Sequence, residues 1–212
     1  MELIINSYVI GAIENNTYLI RDNQSKDAVL IDPAAPSRNI QNDIQENNLN
    51  LSQIWITHAH FDHIGGVRWF LGQSKVKPSV MIHPLALPLW NNAGGSKDFG
   101  FDFDPGKAPD HLVHDGDTLA IGDFSFIVLH TPGHTPGHVT FYCAQEKVAF
   151  CGDLIFFHGV GRTDLKGSEP QALIKSITDK IFSLPDDTIL YPGHGQSTTV
   201  KEEKLHNSFI KN

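Results

Sequence analysis

Apolar positions along the chain fall into short blocks with two different periods. "YLIRD" at 18–22 and "AVLID" at 28–32 are brief runs rich in branched and aromatic residues, which predicts two early strands. "SRNIQNDIQENNL" then spaces Ile40, Ile44 and Leu49 along one face, predicting a helix with Ser37 as its cap. "QIWIT" reads as a buried strand that stops where a histidine cluster begins. After it, "IGGVRWFL" starts a helix, with Gly65 and Gly66 letting the backbone come close to the cluster. The same grammar recurs three times. "FSFIVLH" leads into "TPGH" and His134, "KVAFC" into "GD" and Asp153, and "DTILY" into "PGHG" and His194. "SEPQALIKSITDKIF" predicts a helix with a capping box from Ser168 to Gln171 and an apolar face of Leu173, Ile177 and Ile181. Residues 88–110, rich in Gly, Asp and Pro, have no sustained period and read as a long loop, either a lid or a surface excursion.

Strands that each end in a polar group can deliver those groups to one edge of a sheet core. The chain has 212 residues, 40% of them apolar and 19% charged, and no internal repeat, so one domain over 1–212 is expected. No apolar run reaches the roughly 18 residues of a membrane span. The formal charge of −8 lacks the basic stripe that nucleic acid requires, so neither nucleic acid nor membrane is an expected partner. The first residues carry no basic segment followed by an apolar block, and the only cysteines, Cys143 and Cys151, lie in apolar strands. Together these point to a cytoplasmic protein without a disulfide framework.

Within this frame "THAHFDHIGG" at 57–66 concentrates three histidines and an aspartate. His58, His60 and His63, with His134, His194, Asp62 and Asp153, make seven candidate metal-ligating groups, enough for two ions. The set is imidazole and carboxylate with no thiolate, which points away from a closed structural zinc site and toward a catalytic one. Two ions sharing a hydroxide would lower the pKa of water toward about 7 and polarise a carbonyl, the requirements of hydrolysis. His83, His111, His114, His130, His158 and His206 are read as structural or surface histidines. His138 is a candidate partner for a ligand, and Cys151 is an inert strand thiol. Asp32 before Pro33 reads equally as turn chemistry or as a residue near the metals. Arg162 and Asp164 read as a pair shaping a loop, or as substrate contacts.

The segments HxHxDHIGG, "TPGHTPGH", "FCGDLIF" and "YPGHG" resemble the successive metal motifs of the metallo-β-lactamase fold superfamily. That resemblance implies an α/β (α+β) protein, an αββα four-layer sandwich of two mixed β-sheets with helices outside and the metals at one edge. It also implies that His58, His60 and His134 hold one ion, that Asp62, His63 and His194 hold the other, and that Asp153 bridges them. "GRTD" at 161–164 and "TTVKEEKLHNSF" at 198–209 resemble the small glyoxalase II-like hydrolases. From this follows an expected thioester hydrolase acting on S-lactoylglutathione or a related small-molecule acyl-thioester, with Asp62 and Asp153 as catalytic carboxylates. Two divalent ions are expected, zinc first, with iron or manganese as alternatives, and no C-terminal glutathione-binding helical domain. The alternative is a persulfide dioxygenase with one iron held by His58, His134 and Asp153. A non-enzymatic metal-binding or regulatory module stands behind both, and the sequence sets no oligomeric state.

Overall fold

In the computed structural model, which describes residues 2–210, two mixed sheets face each other. Met1, Lys211 and Asn212, the ends of the 1–212 span expected as one domain, lie outside the described residues. The first sheet joins β1 (Leu3–Ile10), β2 (Asn15–Asp22), β3 (Asp27–Ile31), β4 (Asn50–Trp55), β5 (Ser79–Ile82) and β6 (His111–Leu112) in sequential order. Its first three strands are antiparallel, and β3 to β6 run parallel. The second sheet contains β7 (Thr118–Ile121), β8 (Phe124–His130), β9 (Val139–Cys143) and β10 (Val148–Gly152). A small hairpin follows, β11 (Ile155–Phe156) with β12 (Gly159–Val160). The chain then returns to the second sheet as β13 (Ile189–Pro192) and β14 (Thr198–Thr199), giving the order β14-β13-β10-β9-β8-β7.

Alternation along each strand builds three separate cores, because successive side chains point to opposite faces. In β3, Val29 and Ile31 enter the layer between the sheets, where they join Trp55, Phe126, Phe141 and Phe150. Ala28 and Leu30 face the other way, toward Ile40 and Ile44 of α1 (Arg38–Glu46) and Val67 and Phe70 of α3 (Val67–Gln73). The second sheet repeats the device. Val148 and Phe150 point inward, whereas Ala149 and Cys151 meet Leu173 of α5 (Pro170–Ser176) and Val200 of α6 (Val200–His206). Helix, sheet, sheet and helix therefore stack as an αββα sandwich, the architecture the motifs implied.

Local differences from the sequence reading have identifiable causes. Helix α1 is capped by Ser37 as expected but ends at Glu46, because Asn48 takes a left-handed φ of 52°. Leu49 N then donates to Ile44 O at 2.8 Å, and Asn48 N to Gln45 O at 3.0 Å, so Leu49 packs on the core from a Schellman turn. Helix α5 is capped by Glu169 instead of Ser168: its carboxylate accepts from the amides of Gln171 and Ala172, and the Ser168 hydroxyl donates to His134 O at 3.0 Å. Leu173, Ile177 and Ile181 do form the buried face, the last two in a π-helical turn. The anticipated 88–110 loop is helical in its first part, with α4 (Leu87–Asn91) and a 3₁₀ run over Ala93–Phe99. Gly94 and Gly95, at φ of 64° and 74°, interrupt the run and remove any period from the sequence.

Candidate metal centre

Strand β4 delivers its chain end into the edge between the sheets, and His58 follows with no solvent exposure. Its Nδ1 lies 3.1 Å from Thr57 Oγ1, while its Nε2 is buried with no hydrogen-bond partner. Two residues on, His60 precedes α2 (Phe61–Ile64), which presents Asp62 and His63 within a single turn. From the second sheet, His134 follows β8, Asp153 follows β10 and His194 follows β13. All seven sequence-selected residues meet here. His60 Nδ1 and His134 Nε2 are 2.9 Å apart. His134 Nδ1 donates to Arg162 O at 2.9 Å, which leaves Nε2 as a bare lone pair aimed into the centre.

The second half is arranged around His63. Its Nδ1 is 2.9 Å from Asp32 Oδ2, and its Nε2 is 3.3 Å from Asp153 Oδ1 and 3.6 Å from Asp62 Oδ2. His194 Nε2 lies 3.2 Å from Asp62 Oδ2 and 3.7 Å from Asp153 Oδ2, and His134 Nε2 is also 3.7 Å from that oxygen. Asp153 therefore stands between the two sets. His58, His60 and His134 offer ligand atoms within 4.8 Å of one another, as do Asp62, His63 and His194. Asp32, His58 and His63 satisfy the same distance. Both oxygens of Asp32, however, are already used: Thr57 N donates to Oδ1 at 2.8 Å, and Thr57 Oγ1 donates to Oδ2 at 2.5 Å. Its place is behind His63, fixing the ring so that Nε2 faces the centre.

Electrostatics prepares the set for cations. Burial, reinforced by neighbouring imidazoles, pushes His58 well below the ordinary histidine range and His60 down to about 3, so both rings are neutral at pH 7. Burial would raise Asp153 and Asp62, but the surrounding imidazoles outweigh it and hold both carboxyls ionised. Burial would likewise lower His63, yet Asp153, Asp62 and Asp32 prevail and raise it. A positive charge is stabilised at that position. Divalent ions fit these residues: His58 Nε2 and Asp153 Oδ1 are buried without hydrogen-bond partners, and the backbone leaves room for the carboxylate. A Cβ added at Gly193 would fall 2.2 Å from Asp153 Oδ1 and 2.7 Å from His63 Cε1.

The residues treated as alternatives also find places. Asp32 is not simple turn chemistry: its φ of 48° turns the chain so that the carboxylate reaches Thr57 and His63. Gly65 and Gly66 give room to the neighbouring loop, not to the centre itself, since a Cβ on them would fall 2.4 Å from Ala34 O and 2.6 Å from Ala35 O. Arg162 and Asp164 form a bidentate pair at 2.8 Å for both bonds, and the Arg162 backbone orients His134. His138 is buried and stacks on His58 at 5.2 Å. Cys151 donates to Tyr191 O, and burial pushes its thiol far up, as an inert group requires. His83 stacks on His130 at 4.2 Å, in none of the ligand groups. Asn15 was not anticipated. It is fully buried, with its Nδ2 2.8 Å from His63 Nε2, and its one sequence signal is a paired asparagine opening an apolar strand.

A cleft of about 300 Å³ opens over the centre, lined by His60, Asp62, His134, Asp153 and His194 on one side and mainly by apolar residues on the other. Among the described residues, no helix is long and apolar enough to cross a membrane.

The chain is similar to known proteins in both sequence and fold. A profile of the metallo-beta-lactamase superfamily matches residues 10–194. The hydroxyacylglutathione hydrolase GloC of Haemophilus influenzae is 34% identical, covering 95% of both chains. The human mitochondrial persulfide dioxygenase ETHE1 is 36% identical over 90% of this chain and 69% of its own. Among solved structures, BLEG-1 B3 metallo-beta-lactamase superposes with a TM-score of 0.90 at 35% identity, covering 99% of this chain and all, 100%, of that one. TTHA1623, solved in a di-iron-bound form, superposes with a TM-score of 0.87 at 36% identity over 97% of this chain and 100% of its own.

Proposed function

The chain belongs to the metallo-beta-lactamase superfamily, and from that premise we propose that it is a metal-dependent thioester hydrolase of the glyoxalase II type. Its substrate is S-lactoylglutathione or a related acyl-thioester, split into a hydroxy acid and a thiol. The observation that carries this reading is the junction of two ligand sets by one carboxylate. Asp153 reaches His63 through Oδ1, and His134 and His194 through Oδ2. A one-ion oxygenase needs only one such set. Held by His58, His60 and His134 and by Asp62, His63 and His194, two divalent cations would supply the acidity that makes hydroxide available near neutral pH and the polarisation of the scissile carbonyl. Zinc is the first choice for these donors, with manganese or iron as alternatives; similarity to a di-iron-bound protein favours testing iron.

The chain's own residues hold, orient and enclose. Asp32 locks the His63 tautomer, and Arg162 O locks that of His134, so each ring directs Nε2 inward. Asp62 and Asp153 are the ionised carboxylates placed to take up the proton that attacking water releases. Among the described residues the cleft lining contains no serine, threonine, cysteine or lysine, and its carboxylates and imidazoles stand in or between the two ligand sets, so direct attack by water fits better than a covalent acyl-enzyme. Cys143 and Cys151, both free and buried, fit a reducing cytoplasmic setting, which belongs to the same proposal.

The 36% identity to a persulfide dioxygenase favours a second reading, in which His58, His134 and Asp153 hold a single iron. One experiment separates the two. Thiol release from acyl-thioesters under nitrogen, oxygen uptake with glutathione persulfide, and cleavage of a chromogenic β-lactam are measured for wild type and His63→Ala, together with metal content. The hydrolase gives anaerobic thiol release that falls on the order of 100-fold or more in His63→Ala as metal content drops. Oxygen uptake by both proteins without anaerobic thiol release establishes the dioxygenase instead, and β-lactam turnover alone moves the assignment to that bond.

A further inference from the structure

We propose that the cleft selects thioesters whose thiol arm is apolar and uncharged, with Phe61 and Phe99 as the platform beneath that arm. The inference rests on the thioester reading above and names the substrate class within it.

The apolar side of the cleft is formed by Ile13, Phe61, Phe99, Phe156, Val160 and Leu165. Ile13 is 47% exposed, Phe99 45%, and Phe101, which backs the platform, 42%. Large apolar side chains gathered at one opening mark a surface made to be covered, because each Å² withdrawn from water contributes about 25 cal/mol. The platform is already assembled. Phe61 packs against Phe99 and against Phe101 with ring centres 5.2 Å apart in both pairs. Its seat is equally tight: Gly94 lies so close to α2 that an added Cβ would fall 2.3 Å from Phe61 N. A preformed apolar wall loses little freedom when an apolar arm lies on it.

Charge points the same way. Glutathione carries two carboxylates and an ammonium, and a site for it needs cations free to meet the carboxylates. Among the described residues, Arg162 is the one lysine or arginine lining the cleft. Its Nε and Nη2 both donate to Asp164 at 2.8 Å, so its charge is already matched by a carboxylate. An aliphatic or aromatic thiol arm meets the phenylalanines without stranding a charge, whereas the glutathione carboxylates would lose hydration without compensation.

The test compares lactoyl thioesters of benzyl mercaptan and of glutathione on the metal-loaded protein, alongside calorimetric binding of the matching non-hydrolysable thioethers. The benzyl ester is expected to have kcat/KM at least ~10-fold higher than the glutathione ester, and Phe99→Ala to remove about 10-fold of that preference, mainly through KM. Because Phe99 stands at the surface, this variant should keep its fold and metal content, which are measured with it. Asp164→Asn, which frees Arg162, should narrow the preference by raising kcat/KM for the glutathione ester. A preference for the glutathione ester, or a benzyl preference untouched by Phe99→Ala, overturns the proposal. If neither ester is cleaved, it is the thioester reading that fails, and thioether binding still decides the cleft. Tighter binding of the benzyl thioether, weakened in Phe99→Ala, upholds the apolar arm; equal binding of both thioethers refutes it.

Discussion

His63 shows how one side chain can serve two masters: Nδ1 is spoken for by Asp32, and only Nε2 faces the centre. The two aspartates around it should therefore differ on mutation. Asp32→Ala leaves the ligand atoms in place but frees the ring, so metal affinity at the Asp62–His63–His194 position and kcat should fall about 10- to 100-fold. Asp153→Ala removes the group common to both sets and should cost both ions together. Metal content after gel filtration, measured with thiol release, distinguishes them; two ions and near-normal turnover in Asp153→Ala would refute the joining role. At this scale the cluster is legible because HxHxDH places so many ligand-type side chains within one turn. Asp32 is ambiguous because an aspartate before proline suits a turn, and nothing local reveals a Thr57 and a His63 that are 25 and 31 residues away. Asn15 is less legible still, since its neighbour comes from a different element.

Glu203 shows the same economy between elements. Although α6 lies in the fold's outer layer, this carboxylate is 1% exposed and accepts from His158 N, from Thr198 Oγ1 at 2.6 Å and from Asn207 Nδ2 at 2.7 Å. It fastens α6 to the β11–β12 hairpin, whose continuation at Gly161 passes so close to Asp153 that a Cβ there would meet its backbone oxygen at 1.8 Å. Glu203→Ala should lower unfolding free energy by roughly 3 kcal/mol, because several buried donors lose their acceptor. Urea denaturation checks this; a change under about 0.5 kcal/mol, the usual size for a surface substitution, would mean the network is not what holds the hairpin. Element type is largely readable here, since Leu173, Ile177 and Ile181 repeat with a helical period and are all buried. Boundaries are less so. Glu169, instead of Ser168, caps α5 because the Ser168 hydroxyl is drawn to His134 O, a partner 34 residues away.

For the whole molecule, the position of the centre matters more than its composition. His58, His60, Asp62 and His63 come from the chain after β4 in the first sheet, whereas His134, Asp153 and His194 follow strands of the second. Ions bound by both groups would clamp the two sheets at one edge, and binding to the folded state alone stabilises it by mass action. Removing metal with a chelator should lower Tm, and returning free ion at about 100 times its Kd should restore about 2.7 kcal/mol per site. Calorimetric scans across a series of free-metal concentrations measure this. A Tm independent of metal would show that the ions do not couple the sheets.

Period and residue type, properties of neighbouring positions, determine which segments become strands and helices, and the histidine-rich turns announce ligand chemistry. The three cores follow nearly as directly: alternation in "AVLID" and "KVAFC" sends successive side chains to opposite faces, so the strands are buried on both sides. Tertiary structure alone decides which lone pairs face one another. It sets His134 Nε2 beside His60 and puts Asp32 behind His63. Those outcomes depend on distances between residues up to 74 positions apart in the chain. No local pattern encodes such a distance, because it is fixed only when two sheets pack and their strand ends arrive at the same edge.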